Sequence, residues 1–308
     1  MIFMNCYATI FVLGLSILIV GGYNGTHYLK TSEVVAQKGN TCNPHVPDLP
    51  SAINRQPSLL MTHDQKILLC GGWNEKSCRE MKSNNWEQHS SLNEERSHAS
   101  AFVMKTGIFL FGGESSPTTW EWLPNNGSPQ WIPGDSDIPD PGFDNGCGVK
   151  ISETEIALIG GAVYNSGWKG IKKLLIFNTE TREWTADHDN VLKVGRFDHA
   201  CVLLNTKIIV NGGQDYEYLS STEVIQDLTS STLSGNLNRK RAYHGLVIAH
   251  VGTKQLVMAF GGYDGRGNYL DFETWDETTG NWTMSNITLS QPRSNFGYLS
   301  VPTRILCP

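Results

Sequence analysis

Three histidines stand in similar surroundings: His98 in RSHAS, His199 in FDHAC and His244 in AYHGL. Histidine ligates metals and moves protons near neutral pH. Each of the three precedes a small residue, and an arginine leads in: Arg96, Arg196, Arg241. Asn145 takes the same place before Gly146. A residue repeated in one register points to a scaffold role, because histidines so placed could share an ion only by facing one axis at one height. The carboxylates that could serve acid–base chemistry are Glu183, Asp198 and Asp227, each expected on a solvated face. No GxSxG, HExxH, phosphate loop or dinucleotide fingerprint is present, nor any CxxC or Cys/His zinc spacing. No cofactor, metal or catalytic residue is therefore expected.

The elements that would carry these residues are strands. One sentence recurs along the chain: ILIVGG at 17–22, ILLCGG at 67–72, IFLFGG at 108–113, IALIGG at 156–161, IIVNGG at 208–213 and MAFGG at 258–262. The glycine pairs are Gly21–Gly22, Gly71–Gly72, Gly112–Gly113, Gly160–Gly161, Gly212–Gly213 and Gly261–Gly262, at steps of 50, 41, 48, 52 and 49. Such a period, built from short strands, predicts a propeller or similar array. Each apolar run suits a strand buried on both faces, and the glycines admit positive φ and close approach. A small residue, Ser58, Ala99, Gly146, Ala200 or Gly245, lies twelve to sixteen residues ahead of five of the pairs. It marks a crowded inner strand.

The two ends complement each other. Gly21–Gly22 has no clear inner strand before it, and Arg293–Val301 has the arginine and a small residue, Gly297, but no glycine pair after it. The C-terminal strand is expected to complete the first blade and close the ring, leaving no free sheet edge. The fold class predicted is all-β, a six-bladed propeller. Outer strands follow the apolar ones: KLLIFNTETREWT in blade 4 and DFETWDETTGNWT in blade 6 match strand, turn and tryptophan-led strand. Trp86, Trp131, Trp184 and Trp282 are expected to fill the space over the glycine pairs. The outer strand of blade 1 is expected near 41–49.

These residues, a glycine pair after an apolar strand, then a strand ending in Asn/Asp-x-x-Thr, then Trp, resemble the kelch repeat over 17–308, most closely in blades 3, 4 and 6. The resemblance is to the extracellular kind, and no BTB or F-box region precedes the repeats. It implies a six-bladed kelch β-propeller. The copper oxidases related to this family need Tyr and His ligands with a Cys–Tyr crosslink, a set that no motif here supplies. A sugar mutarotase needs no local motif and stands as the alternative.

The chain has 308 residues, 18% of them charged, and a net charge of −6, which argues against a nucleic-acid partner. Only the short run Asn238–Arg241 is basic. Residues 1–16 are read as a signal peptide, with Ile10–Val20 too short for a membrane span and cleavage expected before Ile17. The other reading is an internal strand of an intracellular protein. Of seven cysteines, Cys6 would leave with the leader. Cys42, Cys70, Cys78, Cys147, Cys201 and Cys307 then allow three disulfides, although Cys147 and Cys201 sit on separate inner strands whose spacing could exceed a disulfide's reach. Asn24, Asn126, Asn281 and Asn286 head glycosylation sequons.

The loops after the glycine pairs carry an excess of aromatic residues, the type enriched at binding hot spots. Tyr28, Trp168, Tyr216, Tyr218, Arg266 and Tyr269 are predicted to form a protein- or glycan-binding surface on a monomer. Tyr23, Trp73 and Tyr263, directly after the pairs, are expected to be structural.

Overall fold

The computed structural model describes residues 15–36, 46–164, 166–251 and 254–306. The expected signal peptide lies almost wholly outside these residues, as do Cys42 and Cys307. Among these residues, twenty-five strands and one short helical turn, Thr303–Leu306, form an all-β array of six radial sheets and one small two-stranded hairpin. Strands are lettered a to d from the axis outward.

Blade 5 shows the plan: Ala200–Leu204, Lys207–Asn211, Thr222–Ile225 and Ser231–Leu233 pair antiparallel in chain order. Blades 2, 3, 4 and 6 follow it with strands a at Ser58–Met61, Ser100–Met104, Cys147–Lys150 and Gly245–Val251. Blade 1 is assembled from both ends. Gly297–Pro302 is its strand a, hydrogen-bonded to Leu15–Val20, which pairs in turn with Ser32–Ala36. The C-terminal strand thus closes the ring, and the six inner strands touch in a continuous circle. No strand forms at 46–49, and the rest of the expected outer strand of blade 1 falls outside the described residues.

The core follows from this geometry. Strand b is buried on both faces, as its unbroken apolar runs require. Six apolar clusters result, one per blade–blade interface. The outer-strand tryptophans belong to these interfaces and not to the glycine pairs. Trp184 meets Phe111 of blade 3 edge-on, and Trp282 donates its indole N–H to Thr222 of blade 5 at 2.8 Å. Their rings span the wedge-shaped gap that widens away from the axis. The space over the glycines is taken by backbone and by residues leading into strand a. A Cβ on Gly212 would lie 2.4 Å from the Arg241 carbonyl oxygen and 2.7 Å from the His244 ring.

An arginine–glutamate pair recurs in four blades, fully buried in three and half-buried in blade 1. Arg96, Arg196, Arg241 and Arg293 bond the first glycine carbonyl of their own blade and a glutamate on strand c: Glu121, Glu223, Glu273 and Glu33. The backbone carbonyl of the same arginines in blades 3, 5, 6 and 1 accepts the second glycine N–H of the preceding blade. One residue therefore ties two blades. Removing one partner of the fully buried pairs of Arg96, Arg196 or Arg241 costs about 3–5 kcal/mol. Blade 4 has Phe143 instead of the arginine. Blade 2 has Ile53, and there the Cys70–Cys78 disulfide joins the same two strands.

Candidate functional site

The face bearing the loops between strands b and c is built by a second repeated device. The residue after each glycine pair donates its N–H to a carbonyl three or four residues before strand a: Tyr23 to Ser294, Trp73 to Asn54, Glu114 to Ser97, Ala162 to Asp144, Gln214 to Phe197 and Tyr263 to Ala242. The next residue in each blade turns into the left-handed region. These are Arg55, His98, Asn145, Asp198, Tyr243 and Asn295, with φ between 53° and 59°. None is glycine. Backbone bonds link neighbours around the axis, Tyr243 N–H to Asp198 at 2.9 Å and Asn295 N–H to Tyr243 at 3.1 Å among them.

All six line one cavity of ≈ 850 Å³ on the axis. They form its floor, and the b–c loops form its wall. Tyr23, Tyr28, Tyr218, Tyr263, Trp168 and Phe197 supply rings on one side. A short hairpin, Ala162–Tyr164 with Trp168–Gly170, raises Trp168, whose ring lies 5.4 Å from Tyr164 and 6.4 Å from Phe197. Opposite, Arg55 pairs with Glu114 and stacks over Trp73 at 4.1 Å.

The floor is a hydrogen-bonded layer. The Gln214 amide donates to Asp198 Oδ2 at 2.7 Å and to the Tyr243 hydroxyl at 3.0 Å. His98 Nε2 bonds Asn295 Oδ1 at 2.7 Å. Burial pushes the Asp198 carboxyl up to about 7 and that of neighbouring Asp144 up to about 6. Burial also holds His98 down at about 4, so it is neutral at physiological pH. Below the floor, a cavity of ≈ 130 Å³ continues along the axis, bordered by His199, His244, Cys147 and Cys201.

Two sequence expectations are corrected here. His98 does not share the register of His199 and His244: it occupies the left-handed position, whereas they occupy the next one. The rings of His199 and His244 press on Gly160 and Gly212 of the preceding blade, with Phe296 as their counterpart against Gly261. The shared His-then-small pattern aligns them one residue off. Asp198 is buried in the floor and not on a solvated face; Glu183 and Asp227 are exposed. Cys147 and Cys201 are disulfide-bonded, with Cα atoms 5.9 Å apart, since adjacent inner strands converge at the axis.

Of the predicted binding residues, Tyr28, Trp168, Tyr218 and Arg266 line the cavity. Tyr216, 82% exposed, and Tyr269 lie instead in a lateral hollow beside it, which Tyr218 and Arg266 also border. Tyr23 and Tyr263 are half-buried in the cavity wall, and Trp73 is exposed beneath Arg55. The floor residues Arg55, His98, Asn145, Tyr243 and Asn295 were not singled out as binding residues. Their signal was present: a polar residue two or three places before each inner strand. Among the described residues, no group of three or more His, Cys, Asp or Glu side chains is placed to hold a metal ion. No helix among them is long and apolar enough to cross a membrane. No protein-family model matches the chain, and no curated protein matches it significantly.

Proposed function

We propose that the chain is a kelch-type propeller, secreted as a monomer, that acts as a recognition module and takes a glycan or protein segment into the axial cavity. One observation carries this reading. Six residues in a conformation suited to glycine are Arg, His, Asn, Asp, Tyr and Asn, and all six face one cavity. Backbone strain of this kind persists at binding sites because the surrounding fold over-determines it. The cavity falls within the size range of ligand sites, with a few polar groups among rings. The two disulfides suit an oxidising compartment. The expected processing site, between Ser16 and Ile17, falls inside strand b of blade 1, where Ser16 bonds Thr303 at 2.9 Å. N-terminal sequencing of protein exported from eukaryotic cells should find Ile17 first; an intact Met1 retained inside the cell would contradict secretion.

The direct test is retention on an array of oligosaccharides and secreted proteins, with Trp168→Ala and Tyr218→Ala as controls. Each variant should weaken retention roughly tenfold or more with an unchanged melting temperature. Retention that survives both substitutions would place recognition elsewhere.

Asp198 favours a second reading, a carbohydrate-active enzyme. A buried carboxyl titrating at about 7, beside a tyrosine hydroxyl, is suited to proton transfer near neutral pH. On this reading Asp198→Asn abolishes anomer interconversion of a bound sugar while sparing its affinity; equal turnover by variant and parent would dismiss it.

A further inference from the structure

Arg266 stands on the ridge between the axial cavity and the lateral hollow of blades 5 and 6, and lines both. The loop that carries it is fixed in advance. Asp264 Oδ1 accepts the Arg266 and Gly267 N–H groups at 2.9 and 3.2 Å. Gly265, at φ +88°, packs so closely on the Tyr218 ring that a Cβ would come within 2.8 Å of it. The Tyr218 ring in turn meets Tyr263 edge-on at 5.6 Å. Arg266 is exposed, and its guanidinium forms no ion pair with any described carboxylate within the usual 4 Å, whereas Arg55 across the cavity is held by Glu114.

The hollow adds two cations. Arg239 stacks over Tyr269 at 4.8 Å and pairs with Asp271 at 2.8 Å. Among the described carboxylates Lys240 pairs with Glu217, which is itself exposed, and a surface pair of that kind yields readily to a competing anion. Residues 238–240 of the basic run thereby line the hollow with Tyr216, Tyr218 and Tyr269. Three cations, Arg239, Lys240 and Arg266, and three tyrosines surround the hollow; Asp271 and Glu217 pair with the first two, Asp264 lies on the loop of Arg266, and Arg266 stays outside these pairs.

We infer that the ligand is an acidic glycan: a sugar residue enters the cavity and a carboxylate or sulfate on the same chain seats at Arg266, within reach of Lys240 and Arg239. The inference rests on the recognition reading above and specifies its ligand. A guanidinium offers a planar fork of donors that matches both anions. The continuity of hollow and cavity favours a glycan over an acidic peptide. The cavity offers Asn145, Gln214, Asn268 and Asn295, and amides, being donors and acceptors at once, match sugar hydroxyls.

Titration calorimetry of the full chain with octasaccharides of hyaluronan, chondroitin sulfate and neutral laminarin, and with polyglutamate, tests this. One or both acidic octasaccharides should bind, and the neutral one should bind at least roughly tenfold more weakly. Hyaluronan alone would identify carboxylate as the anion, and chondroitin sulfate alone would identify sulfate. Arg266→Ala should weaken binding roughly ten- to a hundredfold at an unchanged melting temperature. Arg266→Lys should restore part of the loss, and added salt should weaken the parent more than Arg266→Ala. Equal binding of laminarin, or indifference to Arg266→Ala, overturns the acidic preference and leaves the glycan reading standing. Polyglutamate binding as tightly as either glycan, or no glycan binding at all, overturns the glycan assignment itself.

Discussion

A non-glycine residue held at positive φ costs on the order of 1–3 kcal/mol, so six of them in one ring are a substantial expense of stability. Backbone bonds on both sides hold them there, and their side chains differ where the framework repeats. That contrast separates site from scaffold. Asp198 allows a sharp test. Its folded carboxyl titrates at about 7, against 3.8 ordinarily, so the native state keeps a proton that the unfolded chain releases. The stability this contributes is present below about pH 4 and is lost as pH rises through 7. Asp198→Asn should therefore gain on the parent by about 2–4 kcal/mol between pH 4 and 8 in urea unfolding. The neutral, buried His98, His199 and His244 act in the opposite sense, losing stability below pH 6.5, but equally in both proteins. A gap that stays constant with pH would refute the buried, protonated Asp198. The sequence already held each floor residue, but one-residue register is set by backbone dihedrals, and the His-x pattern led past it.

At the scale of the element, the apolar runs and glycine pairs were fully legible, because strand b has no freedom: it is buried on both faces and must end where backbones meet. The arginine lead was legible too. Its partner was not, although Glu33, Glu121, Glu223 and Glu273 sit second or third in strands c, the last three each a charge amid buried residues. Only the fold reveals that these charges face an arginine. The Cys147–Cys201 pairing likewise depended on how closely inner strands approach. That bond closes a loop of 54 residues across blades 4 and 5. Replacing both cysteines by serine should lower stability by about 2–4 kcal/mol and remove most of the sensitivity of the urea midpoint to dithiothreitol. An unchanged midpoint would mean that the bond does not form in the folded protein.

For the whole molecule, closure was readable because each terminus lacked what the other supplied. The cavity was not, since its floor joins residues as distant as His98 and Asn295, separated by 197 positions. A ring of blades converts six local turns into one concave site. The central claim is that this site is where the ligand sits. Hydrogen exchange of the full chain, free and saturated with the oligosaccharide best retained on the array, tests it most directly. Protection confined to 23–31, 166–170, 214–220 and 263–269 and to the floor turns is the predicted result. Protection centred on the c–d turns near Asn126 and Asn281, at the opposite face, or an array that retains no oligosaccharide and no protein, would contradict it.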